Sequence, residues 1–346
     1  MNTVLATGGL GFIGSHTCLS LLENNYNIYI IDSLINSSKA NFIAIQKICN
    51  LHNISSKGRI TFLEGDILDK YFLIHAFQKA KLEKNPIKAV IHFAGLKSVN
   101  ESIEDPISYW ETNVYGTINL LRVMKEYGCK KLVFSSSATV YKPFAKKIFN
   151  EKSELGPINP YGSSKLAVEN LLRDLVRDKS HDWKIINLRY FNPVGAHPSG
   201  LIGESPKGKP NNLFPILLKV ASGEYKTLSI FGKDWPTRDG TCIRDFIHIV
   251  DLAEAHIAAL EYITDSPPTL INLNIGTGRG HSVLEVVETF KKVNKCQLKY
   301  SFVSRREGDA ASLVADNTLA LSTLNWSPKR SLKDMCRDAW RWKLNN

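Results

Sequence analysis

A chain of 346 residues exceeds what a single core usually fills, and 43% hydrophobic with 22% charged residues is the make-up of a soluble globular enzyme, so two domains or one domain with a lobe are expected. It has neither an apolar run long enough to span a bilayer nor a basic segment leading into an apolar one at the start, so no membrane span and no cleaved signal are expected. The formal net charge of +11 is spread along the chain, with only short clusters such as Lys146-Lys147 and Lys291-Lys292, and reads as a solvated basic surface without a nucleic-acid partner, compatible with a small anionic substrate.

In chain order, residues 3–7 read as a strand, 13–23 as a helix and 28–32 as a second strand, followed by a helix near 41–49. Further strands are expected at 60–63, 89–93, 131–135 and 184–188, with helices at about 68–79, 107–127 and 161–178 between them. Strict alternation of this kind predicts an α/β protein, a Rossmann-type doubly wound parallel sheet covered on both faces. After Tyr190 the texture changes. Residues 192–212 are rich in Gly, Pro and Asn and read as a loop too long for a simple connector. Residues 246–259 look like a strand-to-helix unit able to rejoin the first sheet. The expected division is therefore a dinucleotide-binding domain at 1–190, rejoined by about 246–260, and a smaller mixed α/β substrate domain at 191–346. The six cysteines, Cys18, Cys49, Cys129, Cys242, Cys296 and Cys336, include no CxxC and have no histidines at metal spacing. Reduced thiols, no metal and a cytoplasmic location follow as expectations.

Thr7-Gly-Gly-Leu-Gly-Phe-Ile-Gly14 follows the first strand and opens the first helix. In this arrangement Gly8 permits the tight turn, Gly11 lets the backbone approach a pyrophosphate and Gly14 lets the helix pack against the sheet. The free amides at the helix start face the anion. Asp32 closes the second strand, where a carboxylate binds both adenosine ribose hydroxyls and repels a 2′-phosphate, favouring NAD over NADP. Asp32 as a solvated strand-end aspartate is the competing reading.

Tyr161-Gly-Ser-Ser-Lys165 begins a predicted helix, and positions i and i+4 share one face, so a phenol and an ammonium address the same ligand. A free tyrosine, with a pKa of about 10, is a poor base at neutral pH. A neighbouring Lys165 and a positive nicotinamide ring favour the phenolate and make Tyr161 a general acid/base. Upstream, Phe134-Ser-Ser-Ser137 reads as a strand end on the same sheet, and Ser137 can set a hydroxyl between substrate and Tyr161. An exposed tyrosine at a helix start, with serines capping a turn, is the alternative.

Together these features resemble the extended short-chain dehydrogenase/reductase superfamily, and longer strings narrow the resemblance. Gly11-Phe-Ile-Gly-Ser-His-Thr17, His92-Phe-Ala-Gly-Leu-Lys97, Phe134-Ser-Ser-Ser-Ala-Thr-Val-Tyr141, Arg189-Tyr-Phe-Asn-Pro-Val-Gly-Ala-His-Pro198 and Pro210-Asn-Asn-Leu213 are similar to the UDP-galactose 4-epimerase family. So are Asp239-Gly-Thr241, Arg244-Asp-Phe-Ile-His248 and Arg305-Arg-Glu-Gly-Asp309. The resemblance implies an NAD-dependent isomerase of galactose metabolism that inverts C4 of UDP-galactose and UDP-glucose through a 4-keto sugar. Tyr161 would be the acid/base, Ser137 the proton relay, and Lys165 the partner of the nicotinamide ribose.

It further implies that Phe12 and Ile13 hold the pyrophosphate through their backbone and that Asp32, Asn36 and Ser37 hold the adenosine ribose. Asp66 and Ile67 would border the adenine. Phe93, Ala94, Gly95, Lys97, Asn113 and Phe191 would line the path to the nicotinamide. UDP would be held by Asn192, Asn212, Leu213, Ser229, Phe231, Arg244, Arg306 and Asp309. Arginines suit a diphosphate bidentately and an aromatic packs on uracil.

Leu313 takes the position that in the family faces the sugar C2 substituent. Leucine lies between the bulky tyrosine that excludes N-acetyl sugars and the small residues that admit them, so secondary activity on UDP-N-acetylglucosamine is expected. The family also implies a homodimer through the helices at 107–127 and 161–178. Two positions depart from its pattern: Lys142-Pro143 stands where Gly usually follows the strand-end Val-Tyr, so a reshaped loop is expected there, and Ser33 replaces the Asn after the ribose aspartate. A sugar-nucleotide 4,6-dehydratase is the nearest rival, but that family has Asp-Glu after the strand-end hydroxyl, where this chain has Ala138-Thr139-Val140. A non-catalytic dinucleotide sensor or RNA-binding member, suggested by the basic charge, would have no need of Ser137, Tyr161 and Lys165 together.

Overall fold

The computed structural model describes residues 2–143, 148–177, 182–208, 210–306 and 308–346. Lys146, Lys147, Asp178 and Glu307 lie outside them. Five parallel strands open the fold: β1 (Thr3–Thr7), β2 (Asn27–Asp32), β3 (Ile60–Glu64), β4 (Ile87–His92) and β5 (Lys131–Ser137). With Lys184–Tyr190 and Thr269–Ile275 they form a seven-stranded parallel sheet. β1 is flanked by β2 and β4, and β3 lies at one edge. β1, β2 and the following strands read as nearly continuous Val/Ile/Leu runs because helices cover both faces. On one face the helix α1 (Phe12–Glu23) packs with Ile249–Asp265 through Leu19, Leu22, Leu252 and Leu260. On the other, Lys70–Leu82, Gly116–Glu126 and Pro160–Arg177 bury Leu73, Leu120, Val123, Val168 and Leu172. The chain reverses direction about β1, and the crevice beyond the carboxyl ends of β1 and β4 is the place where such sheets bind ligands.

A second, five-stranded sheet and a two-stranded pair carry the remaining half of the chain. Here the structure corrects the expectation for residues 246–259. The strand Ile243–His248 pairs with Asn192–Val194, Gly280–Ser282 and Ser312–Ala315 in the second sheet. The helix Ile249–Asp265 returns to the first sheet, and Thr269–Ile275 joins it beside Lys184–Tyr190. Phe246 and Ile247 point to opposite faces of the strand and are buried in different cores, Phe246 with Phe214 and Leu217 and Ile247 with Leu188 and Leu252. The strand's short parallel register with Asn192–Val194 places it in the smaller sheet.

The expected continuous helix at 107–127 is also interrupted. Pro106–Tyr109 and Gly116–Glu126 are α-helical, and between them Trp110–Tyr115 widens to a π turn. Such turns recur at functional sites because they redirect one side chain. Here it is Asn113, 3% exposed, which is turned inward.

Candidate active site

One cavity of about 970 Å³ lies between the two sheets, at the upper end of the usual range for ligand sites. Its floor is the glycine turn after β1. Gly8 has φ +66°, and a Cβ there would stand 2.6 Å from the Ala94 backbone nitrogen. A Cβ on Gly14 would meet the Gly8 carbonyl oxygen at 2.4 Å, so the start of α1 can lie against the turn only because this residue is glycine. Gly11 is the N-cap of α1, with no side-chain cap and no acidic residue in the first turn, so the amides of the first turn, Phe12 and Ile13 among them, are not capped by a side chain.

Asp32 binds this turn to the loop after β2. Its Oδ2 accepts from Leu10 N at 2.9 Å, and its Oδ1 accepts from Leu34 N at 2.9 Å and Ser37 Oγ at 2.6 Å. The carboxylate is 8% exposed and lines the cavity beside Asn36 and Ser37. Farther along the same wall, Asp66 accepts from Leu68 N at 2.9 Å, and Ile67 lies against the cavity.

The loop after β4 supplies Phe93, Ala94, Gly95 and Lys97 to the opposite wall. Asn113 packs directly against this wall, where a Cβ on Gly95 would stand 2.8 Å from its Oδ1. From the π turn it stands behind the loop, accepting from Leu96 N at 2.8 Å and donating to Leu96 O at 3.1 Å and Ser164 Oγ at 2.9 Å. It therefore fixes the loop at Gly95-Leu96 to the helix that carries Tyr161. Ser164 was not singled out by sequence reading, although it lies inside the YxxxK string.

Tyr161, Lys165 and Ser137 meet at the centre of the cavity with Phe191. Lys165 Nζ donates to Ser135 O at 2.8 Å and lies 6.0 Å from the centroid of the Tyr161 ring. Thr139, another residue not singled out, gives Ser137 Oγ two hydrogen bonds, from its own N at 3.2 Å and its Oγ1 at 3.0 Å. Both use Ser137 as acceptor, which leaves the serine hydrogen free for the phenol. Sequence reading has Lys165 lowering the pKa of Tyr161. In the structure burial comes first and raises the phenol above its ordinary value, and the Ser137 hydrogen bond opposes it. Burial also lowers Lys165, to about 8.

The Lys165 ammonium is thus present below about pH 8 and lost above it. We predict that kcat/KM falls on the alkaline side near that pH, and that Lys165→Arg, which stays charged there, shows no such limb; a limb unchanged in Lys165→Arg would assign it to another group.

The second sheet and its loops close the far side. Arg244 Nη1 donates to Ile243 O at 2.9 Å and Ala310 O at 2.8 Å, while Nη2 donates to Asp309 Oδ1 at 3.2 Å. Arg306 lies 4.3 Å over the Phe231 ring. Asn192, Asn212, Leu213, Ser229 and Leu313 complete this wall, and Leu313 sits on the strand Ser312–Ala315, paired with Arg244. A carboxylate that sequence reading missed, Glu204, lines the same cavity 8% exposed, beside Lys97 and Asn212. Lys142 makes an ion pair with Glu154 at 2.8 Å and lies outside the left-handed region, so position 142 has no need of a glycine, and Pro143 lines the cavity.

A dinucleotide cradle, a Tyr/Lys/Ser set and an arginine-lined extension in one crevice define an extended short-chain dehydrogenase/reductase of the kind that acts on nucleotide-linked substrates. Residues 5–339 match the family described as GDP-mannose 4,6 dehydratase. The chain is 47% identical over 343 residues to the UDP-glucose 4-epimerase of Bacillus subtilis (strain 168), covering 99% of this chain and 97% of that protein. It also superposes on the UDP-glucose 4-epimerase of Stenotrophomonas maltophila, crystallised with NAD and formylated UDP-arabinopyranose, with TM-score 0.93, 43% identity and coverage of 100% and 98% of the two chains. The enzyme from Bifidobacterium longum, in complex with NAD+ and UDP, gives TM-score 0.90 at 41% identity, covering 100% and 99%. The chain belongs to that broad family and, within it, to the UDP-glucose 4-epimerases.

Proposed function

We propose that the chain interconverts UDP-galactose and UDP-glucose at C4 with NAD as resident cofactor. The observation that carries this reading is a single cavity in which a dinucleotide cradle and an arginine-lined wall converge on Tyr161. The cradle suits NAD: the first-turn amides of α1 have no side-chain cap, the glycines leave room for a pyrophosphate, and Asp32 disfavours a 2′-phosphate. Gly11, Phe12 and Ile13 would hold the pyrophosphate, with Asp32, Asn36 and Ser37 on the adenosine ribose and Asp66 and Ile67 beside the adenine. Bound there, NAD would supply a reversible hydride acceptor for the sugar C4.

The protein's residues manage protons and orientation. Tyr161 takes the proton of the sugar 4-hydroxyl and later gives it back, and Ser137, oriented by Thr139, relays or steadies it. Lys165 contributes positive charge near the phenol and a donor for the nicotinamide ribose, while Asn113 holds the cavity wall. Arg244 and Arg306 would grip the diphosphate, leaving the sugar free to turn and present its other face. Ala138 and Thr139, where a 4,6-dehydratase would carry its acid and base, have no carboxylate, so elimination of water lacks its catalysts. The Lys97 and Phe93 wall, Phe191 and the Asn192, Asn212, Leu213, Ser229 and Asp309 wall complete the assignment.

Purified protein given UDP-galactose without added NAD is expected to form UDP-glucose; failure both without and with added NAD would overturn the reading. In the same assay UDP-N-acetylglucosamine is expected to turn over more slowly, because Leu313 leaves part of the space beside C2, and Leu313→Tyr is expected to reduce that activity by at least about tenfold. No detectable turnover of the N-acetyl sugar by the unaltered protein would remove this secondary activity.

The homodimer belongs to the same proposal. Ile103, Ile107, Trp110 and Tyr115 are exposed on successive helices of the 99–126 segment, Ile107 at 76%, a clustering that suits a partner surface. Monomeric sedimentation at micromolar concentration would remove it. A cytoplasmic location is supported by six unpaired thiols.

A further inference from the structure

We propose that residues 203–208 form a latch that retains the dinucleotide, with Lys207 as the positioning residue that fastens it. The inference rests on the NAD reading above. This segment leaves the substrate side of the cavity and reaches across to the cofactor side. Lys207 N donates to Asn36 Oδ1 at 3.0 Å, and Lys207 Nζ donates to Leu34 O at 2.6 Å. Leu34 and Asn36 belong to the loop that Asp32 organises, and Leu34 has a positive φ of 59°. With its carbonyl oxygen occupied by Lys207, Asn36 keeps its amide hydrogens for a ribose oxygen. The left-handed Gly208, φ +84°, turns the chain directly after Lys207.

A second fastening crosses the same gap. Glu204 Oε1 lies 3.5 Å from Lys97 Nζ and accepts from Asn212 Nδ2 at 3.5 Å. Lys97 comes from the loop after β4, so Glu204 ties the segment to the nicotinamide side while Lys207 ties it to the ribose side. The root of the segment is held by the C-terminal helix Leu332–Asn345. Arg341 Nη1 donates to Pro198 O at 2.7 Å, and the Trp342 ring lies so close to Gly203 that a Cβ there would stand 2.4 Å from it. A segment anchored at its root and fastened to two walls of the cavity must release both before a bound dinucleotide can leave. Its function is retention, which an epimerase needs because its cofactor is regenerated in each turnover and is not exchanged.

The test is cofactor release rather than turnover. NAD-loaded unaltered protein, Lys207→Ala and Lys207→Arg are diluted, passed through a desalting column at timed intervals, and assayed for NAD after denaturation. Lys207→Ala is expected to lose NAD about fivefold faster, as for one exposed charge-assisted hydrogen bond, and Lys207→Arg to stay near the unaltered rate. Glu204→Gln is expected to release about twofold faster, since its partner Lys97 is half-exposed. Equal thermal unfolding of the cofactor-free proteins would show that Lys207→Ala has not disturbed the fold. Unaltered protein and Lys207→Ala that both retain NAD equally long would overturn the latch alone. Unaltered protein that never binds NAD would overturn the function reading and the latch with it.

Discussion

Replacing Tyr161 by phenylalanine is expected to leave a folded protein that retains NAD and turns over UDP-galactose about a thousandfold more slowly, within the range for a lost general acid/base. The ring keeps its place, edge-on to Tyr109 at 6.5 Å between centroids, so only the hydroxyl is removed. Lys165 keeps its bond to Ser135 O, and Asn113 keeps the wall at Leu96. Ser137 still receives its two hydrogen bonds from Thr139 but has no phenol to serve. The deficit should therefore appear in kcat, with little change in KM, because the missing proton transfer belongs to the transition state. Rate and NAD content measured on the same sample decide the matter: a full rate would remove Tyr161 from the chemistry, and loss of NAD would make it a binding residue. Ser137→Ala should fall between, since the relay is lost but the base remains.

The parts of this site that lie close together in sequence were legible in the chain, and those formed by contacts between distant segments were not. The glycine turn follows directly from a strand, so residues 7–14 announce both the fold and the anion site. The same holds for Asp32 at a strand end and for Tyr161 and Lys165 on one face of a helix. Parallel strands covered on both faces leave apolar runs that the sequence shows, and six of the seven strands of the sheet were expected; the edge strand Thr269–Ile275 was not. The π turn at Trp110–Tyr115 was not legible because apolar residues such as Leu120, Leu121 and Met124 suggest an unbroken helix, and only the packing of Asn113 against Gly95-Leu96 reveals the interruption. The strand Ile243–His248 went to the wrong sheet because its alternation fits either one, and only pairing across the chain decides. Glu204 and Lys207 sit in a stretch that reads as loop, and nothing local marks a carboxylate or lysine as reaching across a cavity. Lys142 has no positive φ and pairs with Glu154, and the loop it was expected to reshape continues into residues 144–147, outside the described residues. Epimerisation itself was carried by long family strings; the local motifs establish NAD redox chemistry.

Replacing Glu169 by alanine is expected to destabilise the protein by about 3–5 kcal/mol, the usual cost of leaving a buried charge without its partner. Arg189 and Glu169 are 1% and 5% exposed and form a bidentate pair, Nε to Oε1 at 3.0 Å and Nη2 to Oε2 at 2.6 Å. Ser136 Oγ also donates to Glu169 Oε1 at 2.5 Å, and Arg189 Nη1 donates to Tyr141 Oη at 2.9 Å, which donates to Asn274 Oδ1 at 2.7 Å. This network joins three strand ends of the parallel sheet to the helix Pro160–Arg177. Tyr161, Lys165 and Glu169 recur at four-residue intervals along that helix, so the pair below holds the register of the acid/base above it. With Glu169 gone, Arg189 keeps its charge in a site sealed from water, and Ser136 loses its acceptor. Urea unfolding should show the loss, and the rate at low urea should fall through displacement of Tyr161 while the remaining folded protein still binds NAD. The double variant Glu169→Met with Arg189→Met should recover much of the stability, because two apolar side chains avoid the uncompensated charge. A single variant within about 1 kcal/mol of the unaltered protein would show that the pair is cosmetic, and that the helix is held by its apolar face, Val168 and Leu172, alone.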